Sequence, residues 1–157
     1  MRKPVVFLSI IAAVIIIALL YFWPPFYNTE IKRTGDGVVL VKDLPPSDKL
    51  RLQWWKQNKH LLEKDHALIP DQGYFSLSIM DFGKGYEKLP AEDFISGISQ
   101  DDYLCFDSIK SETKCVKKNE LMSIMGDVTK KTFIYIGARQ YIQLPDGTIK
   151  EQQIKEE

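Results

Sequence analysis

The residues able to do chemistry are sparse: His60 and His66, the adjacent carboxylates Glu92-Asp93 and Asp101-Asp102, and the cysteines Cys105 and Cys115. A hydrolase needs a nucleophile, a base and a group that orients the base. The two histidines are six apart, within or just past one predicted helix, so they do not share a face. Neither sits in an H-E-x-x-H pattern, and there is no G-x-S-x-G motif. A lone histidine on a lysine-rich helix is ordinarily a solvated residue. Adjacent carboxylates on a strand or loop point apart, which suits neither half of a glycosidase pair. No phosphate loop or dinucleotide fingerprint is present, and Gly35-Asp36-Gly37 lacks the further ligands that a phosphate or calcium loop needs. No enzyme activity and no cofactor are expected.

The cysteines are ten apart, not in the C-x-x-C spacing of a redox centre, and the two distant histidines are too few to complete a metal site. In an oxidising compartment two cysteines are most simply one disulfide, Cys105–Cys115. Closing so short a loop would stabilise by roughly 2–3 kcal/mol. Which compartment holds them depends on a stretch far upstream.

Pro4 to Trp23 reads PVVFLSIIAAVIIIALLYFW, 20 residues without a charge. As a helix it would be about 30 Å long, the thickness of a bilayer's hydrocarbon core. Arg2 and Lys3 precede it, and Tyr21, Phe22 and Trp23 end it at the headgroup layer before Pro24 and Pro25 stop the helix. A cleavable signal peptide would have a shorter apolar region and a small-x-small site, whereas here bulky aromatics follow Ala18. The expectation is an uncleaved single-pass anchor over 4–23. Residues 1–3 stay in the cytoplasm, 24–149 form an exported domain, and 150–157 form a charged, fraying tail. Ser9 and Ala13 share one helix face, where small residues could let a second copy approach as a homodimer.

Residues 24–157 carry 19 basic and 21 acidic side chains, a formal net charge of −2. That is no nucleic-acid footprint, and it leaves the lipid bilayer and an envelope protein as the expected partners. The length allows one small domain with a real core. Residues 28–44 read as a hairpin around Asp36-Gly37, with Val38 to Val41 as a β-branched strand. Ser47 is placed as the N-cap of a helix over 48–64, with Asp48 in its first turn. Leu50, Trp54, Leu61 and, one step round, Trp55 and Leu62 recur at helical spacing. Trp54 and Trp55 lie about 100° apart, so one is expected at the core and the other at its rim or on a contact surface.

Phe75, Leu77 and Ile79 alternate with Ser76 and Ser78, a strand with one buried face, broken by Gly83 and Gly85. Those glycines make either a turn or a loop that touches a ligand. Residues 89–102 read as a polar connection with one helical turn, and 103–106 as a short strand. The stretch 116–125 fits a strand or a helix. Lys130 to Leu144 suggests two strands bent at Gly137, followed by a hairpin turn at Pro145-Asp146-Gly147. One helix beside a mainly antiparallel sheet is the α+β pattern.

The apolar opening, the hairpin ending VLVKDLP, the helix segment WWKQNKHLLEK, the sheet segment GYFSLSIMDFGKGY and the cysteine-bearing YLCFDSIKSETKCVKKNELM stand in that order. Together they resemble an enterobacterial family of putative membrane proteins, domain of unknown function 943. The resemblance implies a small bacterial envelope protein with one membrane anchor; with the orientation set by Arg2 and Lys3, the anchor is expected in the inner membrane and the domain in the periplasm. It assigns no residue a catalytic role.

Two functional readings follow. In the first, the exported domain binds another envelope protein through surplus aromatics and glycines, namely Trp54, Trp55, Tyr74, Gly83, Gly85 and Tyr86, which should form an exposed apolar patch. In the second, it is an immunity protein that shields the envelope from a secreted toxin, a reading drawn from size and architecture.

Overall fold

The computed structural model describes residues 28–152, together with Val14. The expected span over 4–23, its flanks Arg2, Lys3, Tyr21, Phe22 and Trp23, the Ser9–Ala13 face and the end of the tail lie outside the described residues. Among the described residues no helix is long and apolar enough to cross a membrane.

The hairpin forms as its sequence dictates. β1 (Glu30–Gly35) and β2 (Val38–Lys42) pair antiparallel around Asp36 and Gly37, whose φ values of 51° and 76° give the double left-handed turn that matches strand twist. Gly37 is further constrained by space, since a Cβ there would lie 2.9 Å from the carbonyl oxygen of Ser76. β2 and β3 (Phe75–Asp81) run parallel, and a parallel pair needs a crossover. Helix α1 (Asp48–Lys64) supplies it. Ser47 caps α1 by accepting from Leu50 N, and Asp48 and Lys64 place opposite charges at the two ends of the helix dipole.

A seven-stranded sheet carries α1 on one face, in the order β1-β2-β3-β7-β8-β9-β10. Its later strands are β7 (Glu120–Gly126), β8 (Thr132–Ile136), β9 (Arg139–Gln143) and β10 (Ile149–Gln152), joined antiparallel. Alternation puts Val39, Val41, Leu77, Ile79, Met122, Ile124, Ile134 and Ile136 against Trp54, Trp55 and Leu62 of the helix. At about 25 cal/mol per Å² and about 150–250 Å² per indole, each tryptophan contributes several kcal/mol.

Both tryptophans are core residues, 6 % and 0 % exposed, which corrects the expectation that one would lie at the rim. A 100° separation does not part them, because the broad sheet spans the arc that two indoles cover. The Trp55 Nε1–H meets Gln143 Oε1 at 3.0 Å, so full burial leaves no unpaired donor.

Two further expectations change. The stretch 116–125 is neither one strand nor a helix. It holds the end of β6 (Thr113–Lys117) and most of β7, which belong to different sheets. β6 is the centre of a second, three-stranded sheet, between β4 (Glu87–Lys88) and β5 (Tyr103–Cys105). The chain also stays ordered past 149, where β10 pairs with β9 from Ile149↔Gln143 to Gln152↔Gln140. Its charged side chains suit a solvent-facing edge strand. Over residues 28–152 the architecture is a small sheet-rich α+β domain with one α-helix.

Candidate interaction surface

Cys105 and Cys115 stand directly opposite each other in β5 and β6. The neighbouring bond runs from Phe106 N to Lys114 O, so the cysteines form a pair not bridged by backbone hydrogen bonds, the kind whose side chains approach most closely. Their Cα atoms are 4.0 Å apart and the disulfide is formed, with Cys115 buried.

Past Asp81 the chain turns sharply. Asp81 Oδ1 accepts from Gly83 N at 3.1 Å, and Gly85 N donates to Phe82 O at 2.8 Å. Gly83 and Gly85 take φ values of 51° and 97°, the left-handed region that glycine enters without strain. The turn reading of these glycines is therefore correct, and the same turn walls an open cleft of about 550 Å³. Lys84, Glu87, Tyr103, Lys117, Lys118 and Asn119 line the rest of it. Lys118 Nζ donates to the Asp101 carbonyl, while Lys84 and Lys117 make no ion pair among the described residues.

Behind this loop an aromatic chain fastens the two sheets. Phe82 and Tyr86 meet edge to face at 5.1 Å between centroids, and Tyr86 meets Phe106 at 6.1 Å. The Arg33 guanidinium lies 4.5 Å over Phe106 and donates to Ser108 Oγ. These geometries favour the ring quadrupoles, worth about 0.5–1.5 kcal/mol per aromatic pair.

The six residues expected to share one surface are scattered. Trp54 and Trp55 are in the core, and Tyr86 is half-buried in the sheet junction with Gly83 and Gly85 beside it. Tyr74 is exposed next to Phe75, at the opposite end of β3. The most exposed apolar side chains between β4 and β5 are instead Phe94 and Ile95, at 91 % and 100 %. They sit between Asp93 and Ile98, which exchange both backbone hydrogen bonds. The signal for them was the Asp93-Phe-Ile-Ser-Gly97 run, an Asx-type turn followed by glycine.

The remaining chemical candidates are dispersed. Asp101 and Asp102 are exposed on a 3₁₀ turn, where Asp102 O accepts from Lys118 N. His60 is exposed on α1, and His66 Nδ1 lies 3.2 Å from Thr34 Oγ1. Tyr141 donates to Asp48 Oδ2 at 2.7 Å, with Arg139 3.3 Å from the same oxygen. Burial pushes the Tyr141 hydroxyl above its usual pKa, and the hydrogen bond to Asp48 adds to that. This trio ties the start of α1 to β9. A larger cleft of about 670 Å³, lined by Lys59, Glu63, Asp71, Phe75 and Lys131 among others, has both signs of charge. Among the described residues no group of three or more His, Cys, Asp or Glu could hold a metal ion.

No curated protein and no solved structure matches the chain. The family model for the enterobacterial putative membrane protein (DUF943) matches residues 1–153, and the chain belongs to that family.

Proposed function

We propose that the chain is a single-pass inner-membrane protein, N-terminus in the cytoplasm, whose domain binds another envelope protein in the periplasm without acting as an enzyme. The apolar run over 4–23 and its basic flank support the topology. The Cys105–Cys115 disulfide fits an oxidising compartment.

The observation that carries the binding role is the cleft between the two sheets. Lys84 and Lys117 border it as exposed cations, and the Gly83–Gly85 turn brings backbone to its rim. An acidic segment of a partner protein would pair with its lysines, three against the two carboxylates Asp81 and Glu87. The test is recovery of the full chain from membranes in mild detergent, by a tag after Glu157, with partners read by mass spectrometry. A stoichiometric partner lost on Lys84→Glu with Lys117→Glu, while the disulfide stays formed, supports the reading. A partner retained by that variant removes the cleft from it. The partner's identity separates a resident envelope component from a secreted toxin, against which the chain would confer immunity.

A further inference from the structure

The loop Asp93–Ile98 is built to hold two apolar side chains out of the fold. Asp93 Oδ1 accepts from Ile95 N at 3.0 Å and Ser96 N at 3.4 Å, and its Oδ2 accepts from the Ser96 hydroxyl. Ile98 and Asp93 close the base with two backbone hydrogen bonds, and Gly97 completes the turn at φ 71°. The Asp93 and Ser96 side chains are engaged inside the loop, so the side chains that project from its tip, Phe94 and Ile95, are apolar.

The register fixes which end of the main sheet carries the second sheet, to which this loop belongs. β1 begins at Glu30, opposite Lys42 at the end of β2. Val41 lies opposite Asp81, the last residue of β3, and Met80 opposite Glu120, the first of β7. The second sheet leaves the main sheet after Asp81 and returns at Glu120. The chain therefore joins the domain at the end that carries the second sheet. Trp23 and Glu30 are seven residues apart, a reach of roughly 25 Å at full extension.

From this arrangement we infer that Phe94 and Ile95 form a second contact with the lipid bilayer, dipping into the interface beside the anchor. The inference rests on the anchor over 4–23 proposed above. A tethered domain meets the surface at a high effective concentration, so two side chains suffice where a free domain would need more. Glu92 and Asp93 flank the tip, so the contact is apolar and shows no preference for anionic lipid.

The test replaces Phe94→p-benzoylphenylalanine in the full chain and irradiates it in native membranes and in phosphatidylcholine vesicles. The control is Val128→p-benzoylphenylalanine, an exposed apolar position just past Gly126, at the opposite end of the main sheet. Several-fold more lipid adduct at 94 than at 128, in both membranes, is the expected result. Equal yields, or a discrete protein adduct at 94 in place of lipid, overturn the inference. Alkaline extraction of the same membranes separates the two failures. If the chain is released, the anchor itself is wrong and the second contact falls with it. If the chain is retained without excess lipid adduct at 94, only the second contact fails.

Discussion

The indole of Trp55 donates to Gln143 Oε1 at 3.0 Å, joining the middle of α1 to the end of β9 with both side chains buried. Removing the acceptor leaves a buried N–H that no other side chain reaches. Gln143→Ala should cost about 1–3 kcal/mol in denaturant unfolding. In a Trp55→Phe background, which has no donor, the same substitution should cost markedly less. Equal costs in both backgrounds would mean that the bond contributes nothing beyond packing.

This relationship also marks how far the sequence could be read. Local chemistry was legible: Ser47 as a cap, Asp36-Gly37 as a turn, and helical spacing over 48–64 each rest on neighbouring residues. Long-range pairing was not. Nothing within 116–125 says that Lys118 and Asn119 separate strands of two sheets, because β6 finds its partners at 87–88 and 103–105. The burial of both tryptophans depended on the width of a sheet whose later strands are distant in sequence, Gln143 lying 88 residues from Trp55. The six candidate surface residues lie apart for the same reason. Aromatic type names a residue that can bind, but Tyr86 is occupied by Phe82 and Phe106, while Phe94 and Ile95 stand clear in a stretch that reads as a polar connection.

The disulfide should act locally. The second sheet is small, and its central strand is linked through Cys115 to the facing Cys105. Cys105→Ala with Cys115→Ala should destabilise by roughly 2–3 kcal/mol on the chain-entropy account. The loss should fall on β5 and β6, whose amides should exchange faster, while those of α1 and β7–β9 keep their protection. Uniform acceleration across both sheets would show instead that they unfold as one unit.

Gly126 and Phe75 stand directly opposite in β7 and β3, and the phenyl ring fills the place of the missing side chain. A Cβ built on Gly126 would lie 1.9 Å from a ring carbon. Gly126→Ala must therefore displace Phe75 and should cost about 1–3 kcal/mol as overpacking. With Phe75→Ala in place the clash is gone, and Gly126→Ala should be nearly neutral. A cost that persists in the double variant would trace to the backbone of β7 and not to the ring.

Asp93 provides the loop's pH dependence. Its carboxyl is held below the ordinary 3.8, first by the Ser96 hydroxyl and then by the N–H groups of Ile95 and Ser96. A depressed folded value means that the ionised form holds the loop. The contribution is present above the unfolded value and is lost as pH falls through the folded one. The loop should stay closed from neutral pH down through the ordinary carboxylate value of 3.8 and open only in more acid solution. The Ser96 amide resonance should report this, moving only in the acid range. Asp93→Ala should give the open-loop position at pH 7, while Asp93→Asn, which keeps a neutral acceptor, should fall between. A Ser96 resonance that ignores both acid and Asp93→Ala would show that the paired backbone bonds of Asp93 and Ile98 suffice to present Phe94 and Ile95.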